Sequence, residues 1–283
     1  MMPPDFPLDS DRIRAFIAAA LAEDVGKGDL TSARVVPQGR QAQARIQARE
    51  PMVLSGLPLA RAVFEALDPA IAFSPQAEDG AGLSAGDPIA ALEGSARTIL
   101  TGERTALNCL QHLSGIATLT RAYVEAIAGT KARILDTRKT IPLLRRLEKY
   151  AVACGGGRNH RMGLYDAVMI KDNHIAASGR ISAAVSAAKA AGPEPVQVEC
   201  DSLDQVEEAL TAGADSLLLD NMEPSTLRRA VALAQGRVPL EASGGVTLKT
   251  VRAIAETGVD FISVGRLTQS APAVDIGLDF EEI

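Results

Sequence analysis

The chain has 283 residues, 47% of them hydrophobic, which is ample for one large core or two smaller ones. A net charge of −6, 3% aromatic residues and no Trp argue against a nucleic-acid binder, an anionic-membrane binder or a stacking platform for single strands. Cys109, Cys154 and Cys200 are odd in number, far apart and outside any metal-ligand spacing, so reduced thiols in a cytoplasmic protein are expected.

The opening, MMPPDFPLDSDR, lacks the basic start and apolar core of a signal peptide. Residues 11–24, DRIRAFIAAALAED, place apolar side chains at helical spacing behind a Ser10 or Asp11 cap, and VGKGDLTS breaks that helix. From about 42 to 100 the pattern changes. QARIQARE alternates, PMVLSG follows, RAVFEALD is a short helix, and turn signals recur at Asp79-Gly80, Gly86-Asp87-Pro88 and Gly94. This predicts a small α+β domain with antiparallel strands. Within it, DGAGLSAGDPIAALEG is similar to half of a lipoyl or biotinyl carrier hairpin. No lysine occurs between Lys27 and Lys131, however, which excludes a swinging arm. Residues 102–129 have helical period with a break expected near Gly115, and link this domain to the next. No helix is apolar enough for a membrane span.

After residue 130 six short apolar runs each end in polar residues: ARILDTRK (132–139), AVMIKDNH (167–174), PVQVECDS (195–202), DSLLLDNM (215–222), VPLEASGG (238–245) and DFISVGRL (260–267). Helical stretches, most ending in glycine, lie between most of them, which is the signature of βαβ units and a parallel sheet. No GxGxxG turn follows the first strand, weakening an open dinucleotide-binding sheet. Polar residues at every strand end favour a barrel whose strand ends ring one mouth, with fewer than eight strands.

That mouth would gather Asp136, Arg138, Lys139, Lys171, Asn173, His174, Glu199, Asp201, Asp220, Asn221, Glu241, Ser243 and Arg266, with Asn159, His160 and Arg161 one loop away. In an acidic chain where lysine is scarce, Arg138, Lys139, Arg161 and Lys171 form a focused positive site for a small polyanion. EASGGVT and SVGRLT suit a phosphate cradle, and Glu199 and Asp220 suit ribose hydroxyls or Mg²⁺. Taken singly, each has an ordinary reading: a strand-end lysine snorkels, SGG is a common turn, His112 is a packed or surface histidine, and Cys200 is a small buried group. Convergence at one mouth makes the functional case.

The ordered set GDLTS, GERTALN, DTRKT, KYAV, GGGRNHRMGL, DAVMIKDNH, VEC, LLLDNM, EASGG and SVGRLT resembles the quinolinate phosphoribosyltransferase family from about residue 20 to the C-terminus. The resemblance implies an incomplete, about seven-stranded α/β barrel over residues 113–270 and an N-terminal α+β sandwich domain over residues 1–112. The tail, 271–283, is expected to pack back on the latter. It implies phosphoribosyl transfer from phosphoribosyl pyrophosphate to quinolinate with decarboxylation, a need for Mg²⁺, and a homodimer whose sites are completed across the interface. By position, Arg104 resembles the arginine given across the dimer. Arg138, His160, Arg161 and Lys171 resemble the quinolinate pocket, and Lys139 the pyrophosphate-facing lysine. Glu199 and Asp220 resemble the ribose- and metal-associated carboxylates. Ser243, Gly244, Gly245 and Gly265 resemble the 5′-phosphate cradle, and Thr137, Val264 and Arg266 are grouped with the substrate-binding set. The chain departs from the family pattern at Ile141-Pro142-Leu143, where Thr-Pro-Gly is usual, and at Arg266 and Gln269, where alanine and histidine are usual. Other readings are a molybdenum-transport-associated homologue, a Schiff-base aldolase using Lys139 or Lys171, and a non-catalytic phosphosugar-binding protein.

Overall fold

A computed structural model describes residues 4–281. Two units emerge. The first holds the chain up to Arg121, Pro142–Gly156 and the segment from Ser270 onward; the second holds Ala122–Ile141 and Gly157–Gln269. Among the described residues no helix is long and apolar enough to cross a membrane.

In the first unit, α1 (Ser10–Asp24) begins at Asp9, whose carboxylate accepts the Arg12 amide at 2.9 Å, one residue before the cap expected from sequence. GDLTS breaks the chain and also starts a new helix, α2 (Leu30–Val35), because Asp29 accepts the Ser32 amide at 2.9 Å. β1 (Gln41–Ala48) shows the alternating burial that QARIQA announces. β2 (Met52–Val53), α3 (Leu57–Leu67), β3 (Ala72–Pro75), β4 (Gly82–Leu83) and β5 (Pro88–Ser95) follow. The last strand of the chain, β12 (Ile276–Phe280), completes an antiparallel sheet in the order β12-β1-β5-β3, and β2 pairs with β4 separately.

The amino end of α3 carries no cap of its own; Asp79 supplies one from a distant loop. Its Oδ2 accepts the Gly56 amide at 2.9 Å and the Tyr150 hydroxyl at 2.8 Å, and its Oδ1 accepts the Leu57 amide at 3.1 Å. Burial pushes this carboxyl above its ordinary value despite those bonds.

The expected break near Gly115 does not occur: α4 (Ala96–Ala126) runs through it. A Cβ at 115 would lie 2.1 Å from the Pro272 carbonyl oxygen, so this glycine admits the returning C-terminal segment rather than interrupting the helix.

In the second unit all six apolar runs become strands. They are β6 (Arg133–Leu135), β7 (Val168–Ile170), β8 (Val196–Cys200), β9 (Ser216–Asp220), β10 (Leu240–Ser243) and β11 (Phe261–Ser263), paired in parallel in the order β6-β11-β10-β9-β8-β7. The helices α6 (Asp172–Ser178), α7 (Ile181–Ala191), α8 (Leu203–Thr211), α9 (Pro224–Ala234), α10 (Val251–Ala255) and α11 (Arg266–Gln269) follow the strands from β7 onward; α5 (Arg145–Cys154) belongs to the first unit. A seventh stave is reduced to one parallel bridge between Leu135 and Arg158, with Arg158 N–H on the Ile134 carbonyl at 2.8 Å. The run Gly155-Gly156-Gly157 has little tendency to extend such a bridge into a strand. Ile170, Val198, Leu217, Leu219, Ala242 and Ile262 are buried core on one side of the sheet.

Candidate active site

Side chains alternate along a strand, so residues two apart share a face. Met169 and Lys171, Leu218 and Asp220, Glu241 and Ser243, and Ser263 and Gly265 are such pairs, and with Glu199 they line one cavity of about 550 Å³ at the carboxyl ends of the strands. Thr137, Arg138 and Lys139 enter it from beyond β6, and His160 and Arg161 from beyond the Arg158 bridge. The volume is that of a small-molecule site, about 300–1,000 Å³.

Four cations meet there. Lys139 is fixed at its backbone: its carbonyl accepts the Thr268 hydroxyl at 2.7 Å and its amide donates to Thr137 Oγ1 at 3.0 Å. Its stem passes over Gly265, where a Cβ would lie 3.0 Å from Lys139 Cδ. Arg161 donates to the Ala167 carbonyl at 3.0 Å and to Met169 Sδ at 3.6 Å, holding together the seam between the bridge and β7. Burial and then the neighbouring Arg138 guanidinium pull Arg161 below its ordinary value, with Asp166 opposing them. Two guanidinium groups that repel each other in a partly enclosed space are a preformed site for a multiply charged anion. Lys171 forms an ion pair with Glu199.

Asp220 accepts from Asn221 Nδ2 at 2.8 Å, and Asn221 takes a left-handed backbone at φ +53°. Gly244 is demanded twice over: its φ is +92°, and a Cβ there would lie 2.1 Å from Asn221 Oδ1. Glu241 Oε2 accepts from Gln197 Nε2 at 2.8 Å and pairs with His160 Nε2 at 3.2 Å, while Oε1 is buried without a hydrogen-bond partner. Burial drives this carboxyl upward, but its polar neighbours, His160 first, together outweigh it, and the net displacement is below the ordinary value.

Other residues singled out from sequence lie elsewhere. Arg104 is an exposed residue of α4 in the first unit, beside Asp24, Asp29, Leu30 and Leu100. Gly245, Val264 and Arg266 do not line the cavity: Val264 is buried, and Arg266 is exposed at the start of α11. Asp136 is buried and accepts the His160 amide at 2.8 Å. In KDNH, Lys171 faces the cavity, whereas His174 Nδ1 accepts the Lys171 amide at 3.0 Å at the start of α6 and Asp201 stays exposed beyond β8. His112 pairs with buried Glu148 at 2.9 Å, and burial pushes the Cys200 thiol up to about 12. Met169, Leu218 and Ser263, and the depth of Glu241, escaped a reading that looked at strand ends; counting back two residues from each end would have found them.

Among the described residues no three His, Cys, Asp or Glu side chains cluster to hold a metal alone. Glu199 and Asp220, from paired strands, offer two carboxylates, a donor set that suits Mg²⁺ completed by water and phosphate oxygens.

Two family models match: quinolinate phosphoribosyl transferase, N-terminal domain, over residues 29–114, and its C-terminal domain over residues 116–279. The chain is 46% identical over 263 residues to a probable carboxylating nicotinate-nucleotide pyrophosphorylase of Synechocystis, covering 91% of this chain and 89% of that one. It is 45% identical over 276 residues to the Mycobacterium leprae nicotinate-nucleotide pyrophosphorylase, covering 95% and 97%. The solved nicotinate-nucleotide pyrophosphorylase from Francisella tularensis superposes with a TM-score of 0.94 at 42% identity, covering 98% of each chain.

Proposed function

The chain belongs to the quinolinate phosphoribosyl transferase family, and from that premise we propose that it joins quinolinate to phosphoribosyl pyrophosphate. The products are nicotinate mononucleotide, CO₂ and pyrophosphate, on the route to NAD. One observation carries the reading: four cations and three carboxylates converge on a single cavity in a chain of net charge −6.

The geometry supports a division of labour. The Arg138 and Arg161 guanidinium groups repel each other across the cavity, and a dicarboxylate brings two negative charges to them. Lys139, anchored by Thr268 and Thr137, meets the departing pyrophosphate as a point charge. Asp220 and Glu199 orient the ribose hydroxyls, and the turn at Ser243 and Gly244 brings backbone close to the 5′-phosphate. The pyridine nitrogen attacks the sugar C1 as its bond to pyrophosphate breaks, so no enzyme nucleophile is required. CO₂ then leaves the ring carbon beside the pyridinium nitrogen, the electron pair stays on that carbon, stabilised by the adjacent positive charge, and the carbon takes up a proton from solvent. Glu199 and Asp220 would hold Mg²⁺, which when bound would supply charge neutralisation for the leaving group.

The reading extends to a homodimer in which Arg104 completes the neighbouring copy's site. Arg104 stands among exposed Leu30 and Leu100, and apolar exposure around a charged side chain suits contact with a second copy. A monomer in sedimentation at assay concentration would overturn that part. Three unpaired cysteines suit a reducing cytoplasm.

The deciding experiment supplies quinolinate, phosphoribosyl pyrophosphate and Mg²⁺ and follows nicotinate mononucleotide and CO₂ together. Equimolar appearance of both is expected. Folded protein that forms neither overturns the reading.

A further inference from the structure

Glu241 occupies a level of the barrel interior that apolar side chains usually fill. It is 3% exposed and lies in register with Leu218 of β9 and Phe261 of β11. A carboxylate kept there for stability alone would have both oxygens saturated, because an unmet buried acceptor is costly. Instead Oε1 has no partner and Oε2 is held by Gln197 and His160.

The connection continues beyond His160. Its Nδ1 accepts the Arg161 backbone amide at 2.6 Å, so Nε2 carries the proton given to Glu241. Both ring nitrogens are thereby turned to the protein, and the imidazole is a strut between Glu241 and the root of Arg161. The Arg161 guanidinium already spends donors on Ala167 and Met169, so where its remaining donors point depends on how that root is held.

We propose that Glu241 is a positioning residue: acting through His160, it fixes Arg161 and so sets how tightly the pyridine dicarboxylate is bound. This rests on the reaction assigned above. It leaves phosphoribosyl pyrophosphate binding to other residues, which makes the two substrates separable reporters.

The test is steady-state kinetics of wild type, Glu241→Ala, Glu241→Gln, His160→Ala and the Glu241→Ala/His160→Ala double variant, varying quinolinate and phosphoribosyl pyrophosphate in turn. Glu241→Ala should raise the quinolinate KM about tenfold, the effect of losing one charge-assisted hydrogen bond. The KM for phosphoribosyl pyrophosphate should hardly move. Glu241→Gln, whose amide oxygen can still accept from His160, should recover most of the loss, and the double variant should be no worse than His160→Ala. A parallel rise in both KM values, a silent Glu241→Ala, a Gln variant as impaired as Ala, or additive losses would each overturn the proposal. Should Glu241→Ala not fold, Glu241→Leu fills the site and carries the same expectation. Wild type that turns neither substrate over would overturn the assigned reaction as well; wild-type turnover with a silent Glu241→Ala overturns only the positioning role.

Discussion

Two buried carboxylates, one in each unit, show what separates architecture from chemistry in this molecule. Asp79 is 7% exposed and every bond it makes serves the fold: two amides at the start of α3 and the Tyr150 hydroxyl occupy both its oxygens. Glu241 is as deeply buried, yet one of its oxygens is left unmet, and its partners lead to a cavity lined with cations. Saturation is what a buried charge needs for stability. A deficit is tolerated where the surrounding groups are arranged for something else. The two also differ in electrostatics: burial dominates at Asp79 and raises its carboxyl, whereas the partners of Glu241 overcome burial and lower it.

The contrast is sharpest if the cavity can be disabled without touching the fold. Lys139→Ala should lower kcat about 100- to 1,000-fold, the range for removing one preorganised charge from a developing anion. Its melting temperature should stay near wild type. An unchanged kcat in a turnover assay would remove Lys139 from the mechanism. The converse variant is Asp79→Ala. It strands two amides and a phenol, and should cost about 3 kcal/mol in denaturant unfolding. Residual folded enzyme should keep its KM values; a selective rise in one of them would erase the distinction drawn here.

The smallest effect is a difference in sign. Glu241 has a folded value below its ordinary 4.5, so its contribution to stability is present above that pH and is lost as pH falls through the lowered folded value. Asp79 has a folded value above its ordinary 3.8, so stability is greatest below 3.8 and declines as pH rises through the raised value. Glu241→Gln should therefore flatten the acid limb of the stability–pH curve, and Asp79→Asn should steepen it. Unfolding free energies measured between pH 3 and 7, about 1 kcal/mol apart or less, would check both; shifts of the same sign would refute the assignment.

Much of this was legible in the sequence, for a physical reason. Strands covered on both faces read as continuous apolar runs, so all six parallel strands could be located from VMI, VQVEC, SLLLD and their kin. The seventh stave was not legible, because a single bridge at Arg158 has no pattern to display. Gly115 misled because a glycine inside a helical period signals a break equally well as a close neighbour, and only the fold brings Pro272 to it. KDNH divided its duties: Lys171 turned to the cavity while His174 tied the start of a helix. Leu143, where the family resemblance implies glycine, takes a left-handed backbone at φ +71°, a conformation that glycine adopts more freely than leucine.

The pairing of β12 with β1, and the close approach of the Pro272 carbonyl to Gly115, bear on how the molecule is made. As the chain leaves the ribosome, β1 and its neighbours emerge first but must wait, one sheet edge bare, until Ile276–Phe280 have followed the whole barrel. The final barrel strand, ending at Ser263, is out before β12. The unit begun first is therefore completed after the barrel strands, and its exposed edge is the stage at which a nascent chain is most open to misassociation.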